Sequence, residues 1–249
     1  MTHYGYVRDL HDERDLHFAG SRPRIIVPTR HDFLAKLPPV FDQGQLGSCT
    51  ANGSNGALRV VLPGPALSRL FTYWNTRNLE GTVSSDAGGQ VRDAVKVLAT
   101  LGAPPESEEA YVISHFKIKP TAKDYSDALK TKLSAYRRAK TRDDFTQCLA
   151  QDMPVVIGFS VPASFESQIV ATTGVWVPKT GEKIVGGHCT YLYGYDTDWL
   201  APNAGALKGK SVYHVRNSWG TGWGDSGNFH VPAAFIESAM VSDCWMIEK

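Results

Sequence analysis

The sequence has few cysteines and lacks the closely spaced pairs that bind zinc or form redox motifs. Its four cysteines lie far apart without any C-x-x-C, at Cys49, Cys148, Cys189 and Cys244. Isolated thiols of this kind are typical of proteins in a reducing compartment. We therefore expect reduced cysteines in a cytosol, no metal and no cofactor.

The chain also lacks an excess of charge of either sign. It carries 26 basic and 25 acidic residues, which leaves a formal net charge of +1. Nucleic acids and anionic membranes normally require a basic field on the protein that binds them. We expect neither partner, and a peptide or protein substrate fits this composition better. The oligomeric state stays open.

Long apolar runs are missing as well. No run approaches the roughly 18 residues that span a bilayer, and charged residues follow residues 1–5 instead of the apolar core of a signal peptide. The expected location is cytoplasmic, or outside the cell by a route without a cleaved Sec signal. The 249 residues, 42% of them hydrophobic, can bury one large core or two lobes that share an interface.

The order of patterns along the chain predicts an α+β protein with two lobes. Prolines at 23, 28, 38 and 39 forbid a long helix near the start. Helical spacing of apolar residues prevails from 66 to 118, and short β-branched and aromatic runs separated by turn residues follow later. The expected segments are an extended N-terminal arm (1–38), a helical lobe (about 39–118), a β-rich lobe (about 119–232) and a C-terminal tail (233–249). Further expected elements are helices at 122–133 and 141–152 and strands at 155–161, 189–195, 211–217 and 228–231.

Residues 43–57, which read Q-G-Q-L-G-S-C-T-A-N-G-S-N-G-A, predict a loop that enters a helix at Cys49. Unpaired N–H groups and the helix dipole would favour the thiolate of Cys49 at that position. The alternative is a small buried hydrophobic residue, since free cysteine is often buried. Residues 52–56 are poor helix formers, so tertiary packing would have to hold such a helix.

Two further residues strengthen the nucleophile interpretation. His188 lies in G-G-H-C-T, behind two glycines that leave room for close approach, and Asn217 ends an expected strand. His188 taken alone would be a structural histidine. A Cys, a His and an Asn in this chain order suit a nucleophile, its imidazole base and an amide that orients the imidazole.

The stretches around these residues resemble the conserved blocks of the papain-like cysteine peptidases: Q-G-Q-L-G-S-C-T, G-G-H-C-T-Y-L-Y-G-Y and N-S-W-G-T-G-W-G-D-S-G. The resemblance implies a papain-like two-lobe fold and covers the chain from about residue 39 to its end. It assigns Cys49 as nucleophile, His188 as base and acid, Asn217 as the orienting amide and Gln43 as an oxyanion donor. It also implies that Trp219 and Trp223 shield the His–Asn pair from water.

The same resemblance suggests where a substrate binds. Gly88 and Gly89 match a glycine pair that hydrogen-bonds to an extended substrate backbone, as in strand addition. Gln90, Val91 and Gly187 are expected to line the side-chain pocket.

Three positions depart from the family pattern. Leu46 stands at a usual cysteine, so a common disulfide is absent, as expected for a member of bacterial or viral type. Thr50 replaces an aromatic residue, and Cys189 replaces a small apolar one and is expected to face the core. The arm is too short and too rich in proline for the usual helical prosegment. We expect it to pack across or beside the cleft and restrict access.

The function implied is that of a cysteine endopeptidase acting through an acyl-enzyme thioester. Two alternatives remain. One is a weakly active or inactive peptide-binding module on the same fold, and the other is an acyl transferase that uses the same triad.

Overall fold

The structure is a computed structural model that describes residues 4–19 and 21–249. Residues 1–3 of the expected arm, together with Gly20, lie outside the described residues.

Three long helices follow the arm between residues 49 and 100, and shorter helices occur later in the chain. Two of them begin with reciprocal capping boxes, at Thr121 with Asp124 and at Thr141 with Asp144, in which side chains and backbone N–H groups satisfy each other. The described helices are α1 (Cys49–Val61), α2 (Arg69–Leu79), α3 (Val91–Thr100), α4 (Ala122–Ala128), α5 (Arg142–Leu149), α6 (Gln168–Thr173) and α7 (Ala233–Ile236). Within the described chain, no helix is both long and apolar enough to cross a membrane.

An antiparallel sheet forms the other half of the molecule. Its strands follow the order β4-β9-β5-β6-β7-β8, and β2 pairs with β6 beside this path. A separate two-stranded parallel pair joins β1 to β3. The strands are β1 (Tyr6–Val7), β2 (Arg30–Asp32), β3 (Gly89–Gln90), β4 (Ala135–Arg138), β5 (Val155–Pro162), β6 (Ile184–Asp196), β7 (Val212–Arg216), β8 (Asn228–Pro232) and β9 (Val241–Glu248).

Helix α1 packs directly on β6, and its small residues make this approach possible. A Cβ added to Gly56 would lie 2.7 Å from Cε1 of Tyr191, and one added to Gly53 would lie 3.3 Å from the sulfur of Cys189. The helix forms although its sequence has low helical propensity, because packing against the sheet stabilises it. The expectation that tertiary packing holds this segment is thus confirmed.

The C-terminal segment differs from the expected tail. Residues 233–249 contain α7 and β9, and β9 lies inside the sheet between β4 and β5. Most residues of β9 are buried on both faces, so the segment lacks the alternation of polar and apolar residues that identifies a strand. The structure also contains β4 and the short arm strands, which the sequence patterns did not predict.

Candidate active site

Cys49 is the first residue of α1 and is fully buried. The backbone N–H groups of Gly5, Cys189 and Thr50, together with its own N–H, act to lower the pKa of its thiol. Two of these donors come from the first turn of the helix, where N–H groups have no partner within the helix. The sequence prediction of a cysteine at a helix N-terminus is therefore confirmed.

His188 and Asn217 are brought together by the pairing of β6 with β7. His188 lies on β6, Asn217 follows the last residue of β7, and 2.8 Å separates Nε2 of His188 from Oδ1 of Asn217. The same oxygen accepts a hydrogen bond from the backbone N–H of Ser218 at 2.8 Å. Since Oδ1 accepts, Nε2 of His188 must be the protonated nitrogen and must donate.

This tautomer leaves Nδ1 of His188 with a lone pair. Nδ1 is buried and has no hydrogen-bond partner among residues 4–19 and 21–249. A buried nitrogen without a partner is costly, and such groups concentrate at functional sites. The arrangement provides a proton acceptor on the imidazole.

Two tryptophans pack on and beside the imidazole of His188. The ring of Trp219 stacks on His188 with centroids 4.7 Å apart. Trp223 contacts Trp219 edge-on at 5.0 Å and therefore supports the stack from behind. The ring of Phe165 lies 5.4 Å from that of Trp219 and extends this aromatic cluster.

Gln43 is buried and tied to the segment that follows Asn217. Its backbone N–H donates to the carbonyl of Ser218 at 2.9 Å, and its Oε1 accepts from the Ser218 hydroxyl at 2.8 Å. Its Nε2 donates to the carbonyl of Leu46 at 3.0 Å. These contacts fix the amide close to the loop that leads into Cys49.

The N-terminal arm lies in a groove. Helix α1 and strand β3 form one side of this groove, and strand β6 forms the other. Strand β1 pairs with β3, and the N–H of Gly89 donates to the carbonyl of Gly5 at 2.8 Å. The ring of Tyr4 lies 5.9 Å from that of His188, centroid to centroid. We call this arrangement the closed state.

Contact between the arm and the groove is tightest at Gly5. A Cβ on Gly5 would lie 1.7 Å from the carbonyl oxygen of Gly47, and one on Gly88 would lie 2.0 Å from the carbonyl oxygen of Gly5. Backbone atoms cannot yield to such overlaps, so glycine is required at both positions.

Burial in the closed state keeps the cysteine and the imidazole neutral. It raises the pKa of the Cys49 thiol to about 11, although the N–H groups of Gly5, Cys189 and Thr50 oppose this rise. It also lowers the pKa of His188 to about 4, against the opposing effect of Asn217. The expected thiolate at neutral pH is therefore not the form favoured here, because both groups are fully buried.

The expected substrate-binding residues lie along the same groove. Gly89 and Gln90 form β3, which accepts β1 as a neighbouring strand, and Gly88 precedes them. Gly187 contacts the backbone and ring of Tyr6. Val91 begins α3 and is fully buried, so it contributes to the core.

Two of the departures from the family pattern are accommodated in the core. Thr50 is buried, and its hydroxyl would lie 3.5 Å from a Cβ on Gly89. Cys189 is a buried free thiol that packs on α1, as expected.

Sequence reasoning missed the arm and pocket residues that contact one another in the groove, namely Tyr4, Tyr6, Gly158, Ser242 and Asp243. These contacts join residues far apart in sequence, and Asp243 lies in the segment expected to be a tail. Across the described part of the chain, no group of three or more His, Cys, Asp or Glu side chains is arranged to hold a metal ion.

The chain is similar to known proteins in both sequence and structure. Residues 27–244 match the family model for papain family cysteine proteases. Xylellain, a cysteine protease from Xylella fastidiosa, has a similar structure, with 31% identity and a TM-score of 0.83 over 99% of this chain and 96% of that chain. A peptidase C1-like protein of Acanthamoeba polyphaga mimivirus is 29% identical over 99% of this chain and 86% of its own length. Cysteine proteinase 3 of Dictyostelium discoideum is 25% identical, and the match spans 88% of this chain and 63% of that protein.

These matches confirm the predicted papain-like α+β fold, with a helical region and an antiparallel sheet. All four cysteines are buried free thiols. The chain belongs to the papain family of cysteine proteases.

Proposed function

We propose that the chain hydrolyses peptide bonds in peptides or proteins, with Cys49 as nucleophile, His188 as base and acid, and Asn217 as the group that orients the imidazole. The observation that carries this proposal is the tautomer of His188. Because Oδ1 of Asn217 accepts a hydrogen bond from the protonated Nε2 of His188, the lone pair of Nδ1 is left to take the thiol proton.

The reaction begins once the arm has left the groove. Cys49 transfers its proton to Nδ1 of His188, and the thiolate attacks the carbonyl carbon of the substrate. The oxyanion that forms is stabilised by the backbone N–H of Cys49 and by the Gln43 amide. The imidazolium then gives its proton to the leaving amine, and the acyl group stays on Cys49 as a thioester. Water, deprotonated by His188, attacks the thioester and releases the acid.

The arm acts as an intramolecular inhibitor in this proposal. Gly5 packs on the carbonyl of Gly47, two residues before Cys49, and Tyr4 packs on the His188 ring, so a substrate and the arm cannot occupy the groove together. The neutral Cys49–His188 pair of the closed state is consistent with a resting form.

The test displaces the arm without shortening the chain. In Gly5→Val, the added Cβ would overlap the carbonyl of Gly47, so the arm has to leave the groove. We expect kcat/KM on a fluorogenic peptide to rise by at least about tenfold, because each factor of ten corresponds to only about 1.4 kcal/mol of arm binding. Leu10→Ala is the matched control, since this arm side chain is 72% exposed and its substitution keeps the backbone bonds.

Activity must disappear when Cys49→Ala or His188→Ala is added to Gly5→Val. If the displaced arm gives no hydrolysis while the chain stays folded, the peptide-binding module replaces this proposal. If added amines are incorporated into the products in place of water, the chain is an acyl transferase.

A further inference from the structure

The side chain of Tyr6 fills a pocket beside the catalytic groove. Its ring takes the space above two glycines, since a Cβ on Gly158 would lie 2.2 Å from the ring and one on Gly187 would lie 2.9 Å from it. At the floor of the pocket, the Tyr6 hydroxyl lies 2.6 Å from the Ser242 hydroxyl and donates to Oδ2 of Asp243. The pocket is therefore flat-walled and ends in a hydrogen-bond acceptor.

The position of this pocket relative to Cys49 identifies it as part of the substrate site. Gly5, the residue before Tyr6, packs on the carbonyl of Gly47, two residues before Cys49, and its own carbonyl accepts from the N–H of Gly89. Tyr4, on the other side of Gly5, lies 5.9 Å from the ring of His188. A peptide that takes the place of the arm along β3 would therefore direct a side chain near the scissile bond into the same pocket. This step rests on the proposed function.

The carboxylate of Asp243 at the floor of the pocket has a cationic partner that does not belong to the arm. Oδ1 of Asp243 pairs with Nη1 of Arg138 at 3.0 Å, and the guanidinium lies 4.4 Å above the ring of Trp245. Asp9 and Asp15 also pair with Arg138, at 3.0 and 2.6 Å, but both belong to the arm. After the arm leaves, one carboxylate faces one guanidinium.

A paired carboxylate favours a neutral donor over a cation. A lysine or arginine of a substrate would bring a second positive charge close to Arg138, and like charges at short range repel. A phenylalanine would fill the space between the glycines but would leave Oδ2 without the donor that Tyr6 provides.

We propose that this pocket selects a tyrosine side chain of the substrate, whose phenol donates to Asp243, in preference to phenylalanine, lysine or arginine. Burial and the neighbouring Asp243 raise the pKa of Tyr6 above its usual value, which keeps the phenol protonated as a donor.

The first test uses the arm as a tethered ligand in the full chain and does not depend on hydrolysis. The rate at which iodoacetamide alkylates Cys49 is followed by mass spectrometry with peptide mapping. We expect Tyr6→Phe to raise the rate by about tenfold, because the arm loses one hydrogen bond to a charged group. Tyr6→Lys should raise the rate further. Val7→Ala, in a side chain that is 42% exposed, is the control and should leave the rate unchanged. A wild-type rate in Tyr6→Phe, or slower alkylation in Tyr6→Lys, would overturn the proposal.

The second test measures cleavage of peptides by Gly5→Val. The peptides carry Tyr, Phe, Lys or Arg at each position on the acyl side of the cleaved bond. At one position, tyrosine should exceed phenylalanine in kcat/KM by about tenfold, and Asp243→Asn should reduce that ratio. If phenylalanine or a basic residue is preferred at every position, the pocket assignment is overturned and the peptidase proposal stands. If no peptide is cleaved, the peptidase proposal fails, and the alkylation series still decides what the pocket prefers.

Discussion

At the scale of single residues, the proposed chemistry depends on one amide oxygen. Oδ1 of Asn217 accepts from both His188 and Ser218, which fixes the amide orientation and therefore the imidazole tautomer. The motifs predicted Cys49, His188 and Asn217 as the catalytic residues, and in the structure His188 and Asn217 lie within hydrogen-bond distance of each other. The sequence could not predict the neutral pair of the closed state, because that depends on the burial of Cys49 and His188 by residues from distant parts of the chain.

Replacement of Asn217 tests the orienting role. In the Gly5→Val chain, Asn217→Ala should lower kcat/KM by roughly 10- to 100-fold, the range for losing a buried hydrogen bond of about 1–3 kcal/mol. The decrease should appear mainly in kcat, because the amide does not contact the substrate. Thermal unfolding serves as the control for folding. A value of kcat/KM unchanged by Asn217→Ala would show that Trp219 and the sheet alone hold the imidazole.

At the scale of elements, α1 shows how packing overrides local propensity. Its segment from Asn52 to Gly56 disfavours a helix, yet these small residues let the backbone approach β6. Strands β5 to β8 agree with the segments predicted from β-branched and aromatic runs. The prediction missed β9 because a strand buried on both faces resembles no simple pattern, and Asp243 interrupts its apolar run.

Gly56→Ala should destabilise the protein although alanine is the better helix former. The intrinsic gain is about 1 kcal/mol. The added methyl overlaps the buried ring of Tyr191, so we expect a net loss of about 1–3 kcal/mol in the free energy of unfolding. Denaturant titration measures the change. Gly222→Ala is the control, since a Cβ there meets nothing within 4 Å. Equal stability of Gly56→Ala and the wild type would mean that β6 moves away freely.

At the scale of the whole molecule, two features join distant parts of the chain. The arm brings Asp9 to Arg138 and Tyr6 to Asp243, and these contacts anchor the closed state. An extended arm near the cleft was predicted from its prolines and its length. Its parallel pairing with β3 was not, since contacts between residues this far apart leave no local pattern.

The second feature is a buried histidine pair that makes stability depend on pH. Nδ1 of His214 lies 2.8 Å from Nδ1 of His230, and Nε2 of His230 lies 3.1 Å from Asp225. Burial lowers the pKa of His214 from 6.5 to about 3, with the charge of His230 as the second cause. Burial also lowers the pKa of His230, against the effect of Asp225. The unfolded chain thus binds protons more readily than the folded chain below about pH 6.5, so stability is retained above that pH and lost as the pH falls toward 3.

His214→Gln should reduce this loss. Between about pH 7 and pH 5, the melting temperature of the wild type should fall by roughly 3 °C more than that of the variant. A shift of one pKa unit corresponds to about 1.4 kcal/mol of stability, and 1 kcal/mol changes the melting temperature of a chain of this size by about 2–4 °C. His115→Gln is the control at an exposed histidine and should follow the wild type. Parallel curves for His214→Gln and the wild type would assign the acid sensitivity to other groups.

The central claim is that His188 activates Cys49 once the arm has left the groove. The most direct measurement is the rate of Cys49 alkylation by iodoacetamide at about pH 6, compared between Gly5→Val and the same chain with His188→Ala. An imidazolium partner maintains the thiolate at this pH, whereas an isolated thiol with a pKa of about 8.5 is less than about 1% ionised. We predict that removing His188 slows alkylation by roughly a hundredfold. Equal rates in the two chains would contradict the account.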